Sequence, residues 1–364
     1  MKVLTALRNA DAVRHVAREI AEVKLDRTVR LMEVCGGHTA AIYRFALRDL
    51  LPEWVELVSG PGCPVCVTAN DFVDRSVALA RQPNVTIATF GDLIRVPGSS
   101  RSLAEVRAEG GDVRVFYSSA DALDWAIQHP ERIVVFLGIG FETTACTLAA
   151  TLKSAVQDNA RNFRLLSSLK TMPPALSALF SAPDVKVDGL ILPGHVTTVI
   201  GTACYEFIPS EFNIPCVVSG FEPLDLMETI LKLCQQLAEA RASVENQYRR
   251  VVHAEGNPQA QVLMDEMFEP ADVPWRGFGV IPGSGLAIRR EFADWDAERI
   301  PVEVEPTREH AGCRCGEVLR GALHPTECPL FGKSCTPDTP RGACMVSAEG
   351  ACAAVYHFSP VEHG

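Results

Sequence analysis

The stretch SGPGCPVCVT, residues 59–68, sets Cys63 and Cys66 two residues apart among prolines and glycines that bar an ordinary long helix or strand. Two thiols at this spacing close a small disulfide or clamp one metal ion, and Pro64 narrows the backbone to one approach. NDFVDRSVALARQ follows and reads as a helix, so Cys66 is expected near a helix amino end, where unpaired N–H groups favour thiolate. Reversible dithiol chemistry, half of a structural zinc site and inert packing are the three readings. The zinc reading needs a second cysteine pair close in space.

Upstream, CGGHT brings Cys35 and His38 to either side of Gly36 and Gly37. The glycines permit close backbone approach or positive φ, and an imidazole can share a metal or move a proton beside a thiol. The plainer reading of Cys35 is a small buried hydrophobe. GIGFETT follows the strand-like run IVVFL, but it lacks the third glycine of a dinucleotide turn, and no acid closes a second strand at the required distance. Glu142 in that motif reads as a helix cap or as an acid/base in a cleft; His195 in LPGHVTT reads as a structural or a cleft histidine.

Six of the thirteen cysteines, Cys313, Cys315, Cys328, Cys335, Cys344 and Cys352, fall in the last 52 residues, among glycines and prolines. Such a loop-rich segment has few aliphatic residues to bury, so a metal centre is expected to order it. Cys313, Cys328, Cys335 and Cys352 are separated by 14, 6 and 16 residues, unlike the paired knuckles of structural zinc. Single thiolates on a wrapping loop suit a [4Fe–4S] cube, with zinc the alternative. Spacing does not choose between Cys313 and Cys315 as ligand. There is no CxxxCxxC triad, which argues against radical S-adenosylmethionine chemistry, and Cys146, Cys204, Cys216 and Cys234 read as core residues.

The elements that must hold these residues repeat along the chain. LMEV, VELV, VTIAT and VRVFY each end in small or turn residues and lead into a helical stretch; IVVFL, FRLLS, GLILP and PCVVS do the same. Corresponding runs begin about a hundred residues apart. The expectation is α/β: two similar parallel-sheet domains plus a third, helical and loop-rich iron–sulfur domain. Residues 1–28 give an amino-terminal helix with Val13, Val16, Ile20 and Val23 on its apolar face, residues 29–126 the first domain and 127–222 the second. Residues 223–364 give a long helix, with Leu226, Ile230, Leu233, Leu237, Val244, Tyr248 and Val251 as its stripe, and then the cysteine-rich end. In open parallel sheets, ligands sit beyond the carboxyl ends of the strands. Cys35, His38, Cys63, Cys66, Glu142 and His195 all follow a strand, so all six are expected at the mouths of two sheets facing one cleft.

A net charge of −11 without a basic patch argues against nucleic acid as a partner. No apolar run approaches the roughly 18 residues of a membrane span. The first residues carry acid and base through what would be a signal core, so a cytoplasmic protein is expected, with its cysteines as free thiols or ligands rather than a disulfide framework.

Taken together, CGGHT, GPGCPVC, GIGFETT, LPGHV and the ending ECPLFGKSCTPDTPRGACMVSAEGACAAVY resemble the HypD family of hydrogenase maturation factors, from about residue 29 onward. The resemblance implies a [4Fe–4S] cluster on Cys313, Cys328, Cys335 and Cys352. It implies a complex with the small chaperone HypC, on which the Fe(CN)2CO unit of [NiFe]-hydrogenase is assembled and then passed to the large subunit. Cyanide would come from HypE after HypF activates carbamoyl phosphate. By position, Cys35 would be an iron ligand, Cys63 and Cys66 a redox-active dithiol, and His38, Glu142 and His195 cleft residues. The family usually reads CGGHTH; Ala40 stands here in place of the last histidine. A different class stays open, an iron–sulfur-linked thiol–disulfide oxidoreductase acting through CPVC, and so does a zinc-stabilised interaction module.

Overall fold

The computed structural model describes residues 2–183 and 185–359. It contains two sheets. The first has the order β2 (Val55–Ser59), β1 (Val29–Glu33), β7 (Gly189–Pro193), β8 (Cys216–Ser219), β9 (Val244–Asn246), and every pairing is parallel. The second has the order β10 (Phe268–Trp275), β11 (Gly279–Ile288), β6 (Phe163–Lys170), β5 (Ile133–Gly140), β3 (Val85–Thr89), β4 (Val113–Val115). Its strands β3, β4, β5 and β6 are parallel, and the β10–β11 hairpin pairs antiparallel. Strands such as VTIAT and GLILP are buried on both faces, which is why they read as unbroken apolar runs rather than alternating ones.

The α/β class stands, but the strands do not divide at residue 126. β1 and β2 pair with β7 and β8, while β3 and β4 pair with β5 and β6. With the hundred-residue offset matching β1 to β5, β3 to β7 and β4 to β8, both sheets have one order: β2-β1-β7-β8 and β6-β5-β3-β4. Each repeat therefore gives its first half to one sheet and its second half to the other. Local patterning marks a strand but not its partner, because a parallel ladder is chemically the same in either sheet. Residues 223–364 are likewise not one separate body, since β9 extends the first sheet and β10–β11 the second.

The helix after β8 also stops earlier than its apolar stripe suggests. It spans Pro223–Ala238 and ends where Ala240 takes a positive φ of 51°, so Val244 begins β9. Its face carries Leu226, Ile230 and Leu233 into one core with Val13, Val16 and Ile20 of the helix Ala10–Glu22. No helix among the described residues is long and apolar enough to cross a membrane.

Three segments, residues 60–84, 171–188 and 247–267, carry the chain from one sheet to the other. The first contains CPVC and is clamped onto β1: Gly60 N–H donates to the Glu33 carbonyl at 2.8 Å and Gly36 N–H to the Gly62 carbonyl at 3.2 Å. At Gly62 a Cβ would lie 2.1 Å from the Cys35 nitrogen and 2.2 Å from the Val34 carbonyl carbon. β1 is held on both edges and cannot retreat. Gly62→Ala should therefore destabilise the fold by about 3 kcal/mol or more, read as a lowered chemical-denaturation midpoint.

Lys170, at the carboxyl end of β6, is 1% exposed, and burial lowers its pKa to about 8. Its ammonium donates only to Ser168 Oγ, at 3.2 Å, and lies over the Trp275 ring. The unfolded chain keeps the lysine proton to a pKa of about 10.4. Below pH 8 both states are charged and the burial penalty is complete; between about 8 and 10.4 only the unfolded state holds the proton, so stability rises with pH. Lys170→Met should flatten that rise, worth at most about 3 kcal/mol, in denaturation curves taken across this window.

Candidate functional site

At the mouth of the first sheet, β1 ends in Glu33 and the chain turns through Cys35, the N-cap of the helix Gly36–Arg44. Cys35 N–H donates to Glu33 Oε2 at 3.1 Å, and Thr39 Oγ1 donates to the other oxygen. Glu33 is 2% exposed, and burial raises its carboxyl to about 8. Burial, then the carboxylates of Glu349 and Glu33, push the half-buried Cys35 thiol up to about 12. Glu349 packs where a side chain at Gly36 would stand, with its Cβ 2.6 Å from that position. Neither acid was marked by a motif.

His38 lies on the first turn of that helix and His195 on the first turn of Gly194–Ile200, after the neighbouring strand β7. Phe221, which follows β8, sits between them, with ring centroids 4.7 Å from His38 and 3.8 Å from His195. A Cβ on Gly37 would lie 3.1 Å from the Phe221 ring and 3.7 Å from Cys35 Sγ, so the aromatic layer adjoins the thiol. His38 is fully buried against the backbone of Ser219 and Gly220, and burial lowers its pKa to about 4. Burial lowers His195 too, although its ring edge is open to solvent. Both are neutral imidazoles at neutral pH.

Glu142 opens the helix Glu142–Gln157 beyond β5, in the second sheet. Its Oε1 accepts from Met172 N–H at 2.8 Å, Oε2 is unpartnered, and burial raises the carboxyl to about 7. Its electrostatic neighbours are Cys204 and Tyr205. Cys35, His38 and His195 follow strands of the first sheet, whereas Glu142 follows a strand of the second.

CPVC forms its own one-turn helix, Pro64–Val67, instead of entering the following helix Asn70–Ala80. Thr68 and Ala69 separate the two, so Cys66 stands at the end of the short helix and not at the start of the long one. Cys63 caps the turn: Cys66 N–H donates to Cys63 Sγ at 3.4 Å. The two sulfurs are 2.6 Å apart as free thiols, and both are buried. Burial, followed by contacts with Cys344 and Cys63, pushes the Cys66 thiol well up.

Cys344 also meets Cys315 and Cys352, and these contacts together with Cys66 hold its pKa well down. Cys313 Sγ lies 3.3 Å from Cys315 Sγ. Cys313, Cys315, Cys328, Cys335 and Cys352 line one small cavity closed by Val318, Leu330, Phe331 and Met345. Gly342 stands where a Cβ would fall 2.5 Å from Cys313 Sγ and 2.6 Å from Cys315 Sγ, and Arg341 N–H donates to Cys335 Sγ at 3.3 Å. Among the described residues no three His, Cys, Asp or Glu side chains converge on a single ion. Thiols around an apolar space, with backbone N–H aimed at sulfur and no other donor type, fit a polynuclear iron–sulfur centre, whose ligands each meet a different iron. Of the cysteines left spare, Cys315 lines this cavity and Cys344 lies between it and CPVC. Sequence separation hides that placement, because Cys66 and Cys344 come together only in the fold.

Comparison with known proteins identifies the family. Residues 11–359 match the HypD family, described as the hydrogenase formation hypA family. The chain is 48% identical to the hydrogenase maturation factor HypD of Escherichia coli K12 over 339 residues, covering 93% of this chain and 91% of that one. It is 46% identical to the HypD of Rhizobium leguminosarum, covering 98% and 96%, and 46% identical to the hydrogenase expression/formation protein HupD of Azotobacter chroococcum, covering 98% and 97%. With a family match over nearly its whole length and the family's cysteine motifs gathered at one place, the chain belongs to the HypD family.

Proposed function

We propose that this protein is a hydrogenase maturation factor that acts as a redox-active scaffold, holding an iron atom while its cyanide and CO ligands are added. The observation that carries the reading is the unbroken line of sulfur from Cys63 and Cys66 through Cys344 to Cys315 and Cys352, buried between the tail cavity and the loop clamped on Cys35. The coarse role rests on the relatives, which are named as hydrogenase maturation factors.

Cys35 is the cargo ligand. Low-spin iron bearing cyanide and CO prefers soft thiolate, and a second thiolate from a HypC-type chaperone completes the grip; a HypE-type protein brings the cyanide. Cys35 is a neutral thiol until metal arrives, so binding releases a proton, and Glu349, the larger carboxylate influence on the thiol, receives it. The His38–Phe221–His195 layer keeps neutral, uncharged walls beside that sulfur. Cys63 and Cys66 together hold two electrons and give them up, with two protons, as they close a disulfide. Cys313, Cys328, Cys335 and Cys352 would hold a [4Fe–4S] cluster, a one-electron store when bound. Cys315 and Cys344 remain as the sulfur contact between that store and the dithiol. An oxidoreductase working on external disulfides would need an accessible sulfur, whereas Cys63 and Cys66 are 3% and 0% exposed.

Infrared spectra of the protein isolated anaerobically with its small partner should show bands of iron-bound cyanide and CO, and Cys35→Ala should remove them. Retention of those bands in the variant would end the cargo assignment. Cys344→Ala should leave iron, inorganic sulfide and the iron–sulfur absorption in place while slowing reduction of the CPVC disulfide, counted by thiol alkylation, at least about tenfold. An unchanged rate would show that the sulfur line is not the route.

A further inference from the structure

Beside the tail cysteines lies a concavity of about 720 Å3 that nothing in the scaffold reading uses. Cys313 and Cys315 form part of one wall and Arg276 another. Arg276 is 5% exposed. Its backbone N–H donates to the Val67 carbonyl at 2.9 Å and its Nε to the Thr68 carbonyl at 3.1 Å, which ties it to the end of the CPVC helix. Nη1 reaches Glu309 only at 3.4 Å, through a single contact to a half-exposed carboxylate, and Nη2 has no hydrogen-bond partner. A buried guanidinium with an unused donor is costly, and an incoming oxyanion relieves that cost.

Three more arginines line the concavity with exposed side chains. Arg95 donates only to the Pro337 and Val346 carbonyls and Arg341 only to the Ser334 carbonyl. Arg308 has no carboxylate partner among the described residues. Arg101 is neutralised by Glu109, and Glu105 is spent on the Ser102 cap. The acids facing the space besides Glu105 are Glu309 and Asp338. An excess of positive charge is therefore concentrated here in a chain whose net charge is −11. The volume falls in the range of small-molecule sites, and guanidinium forks match phosphate oxygens.

We propose that this concavity binds a small phosphate-bearing molecule, anchored on Arg276 and enclosed by Arg95, Arg308 and Arg341. Four guanidinium groups exceed what one carboxylate pairs; a phosphate carries nearly two charges and three acceptor oxygens. The space is larger than a bare phosphate fills, so the phosphate belongs to an organic ester. Glu309 is the displaced group: it leaves Nη1 and the phosphate takes its place there. Because Arg276 also grips the carbonyls of Val67 and Thr68, an occupied site holds the CPVC turn more firmly.

Calorimetric titration of the full-length, anaerobically purified protein with inorganic phosphate and with glycerol 3-phosphate tests this. Saturable binding of the ester, tighter than that of phosphate, is expected; equal affinity for the two would overturn the assignment to an ester. Arg308→Ala should weaken binding about tenfold, or about 1.4 kcal/mol, and Arg276→Gln by more. Glu309→Gln should tighten it, whereas Glu305→Gln, an acid outside the concavity, should not. If Arg276→Gln fails to fold, the two exposed positions still decide. Absence of saturable binding by either probe, or affinities indifferent to Arg308 and Glu309, would overturn the proposal.

Discussion

Sulfur packed against sulfur, with Cys344 set between Cys66 and the tail cysteines, joins the end of the chain to the place where the two sheets meet. The tail has little regular structure of its own: one eight-residue helix, Ala351–Phe358, and several single turns. What orders it is membership in the main core, where Phe331, Cys335, Cys344, Met345, Cys352 and Val355 pack with Cys63, Cys66, Val65 and the strand residues Leu137 and Leu192. Removing the tail would open the CPVC turn to water. A buried dithiol exchanges with its neighbours and not with solvent thiols, since access as well as thiolate content sets exchange rates.

The interleaved sheets make that arrangement rigid. Two sequential domains would be joined by one linker and would move relative to each other by default. Here three segments cross, and a single core cluster runs from Met32, Val34 and Val218 of the first sheet and its flanks to Ile87, Val135 and Leu166 of the second. A site placed between the sheets is thereby held without any extra brace. The loop carrying CPVC is short of freedom at both ends, pinned on β1 through Gly60 and Gly62 and on β10 through Thr68 and Trp275.

Much of this was legible in residue order, and the rest was not for identifiable reasons. The strands were readable because buried parallel strands are plain apolar runs, and the repeat was readable because its offset is nearly constant. Partner choice was not, since nothing local in VTIAT or GLILP names a sheet. Cys35, His38 and His195 share a mouth because each follows a strand of the same sheet, so the strand-end rule sufficed for them. Glu142 obeys the same rule in the other sheet. Glu33 and Glu349 were invisible for a different reason: a buried acid beside a thiol is a fact of packing, with no spacing to betray it. Phe221 left a faint signal, standing just past the strand CVVS with one residue between, but its position between two histidines depends on contacts across three strands.

The opposite directions of two thiols bear on what kind of chemistry the mouth performs. Cys344 is held well down by its neighbouring sulfurs Cys315, Cys352 and Cys66. Cys35 is pushed up by burial and by two carboxylates. A cysteine nucleophile needs its thiolate before the substrate arrives, which proteins secure with a cation, a helix amino end or an imidazolium. Cys35 does stand at a helix amino end, where the His38 and Gly37 backbone N–H groups favour its charge, yet burial and its acids outweigh them, so no thiolate waits there. A cationic guest reverses the balance at once: it compensates the sulfur's charge, and the same carboxylates that opposed ionisation then favour the complex. An acid-lined thiol is poorly suited to attack a carbon and well suited to receive a metal.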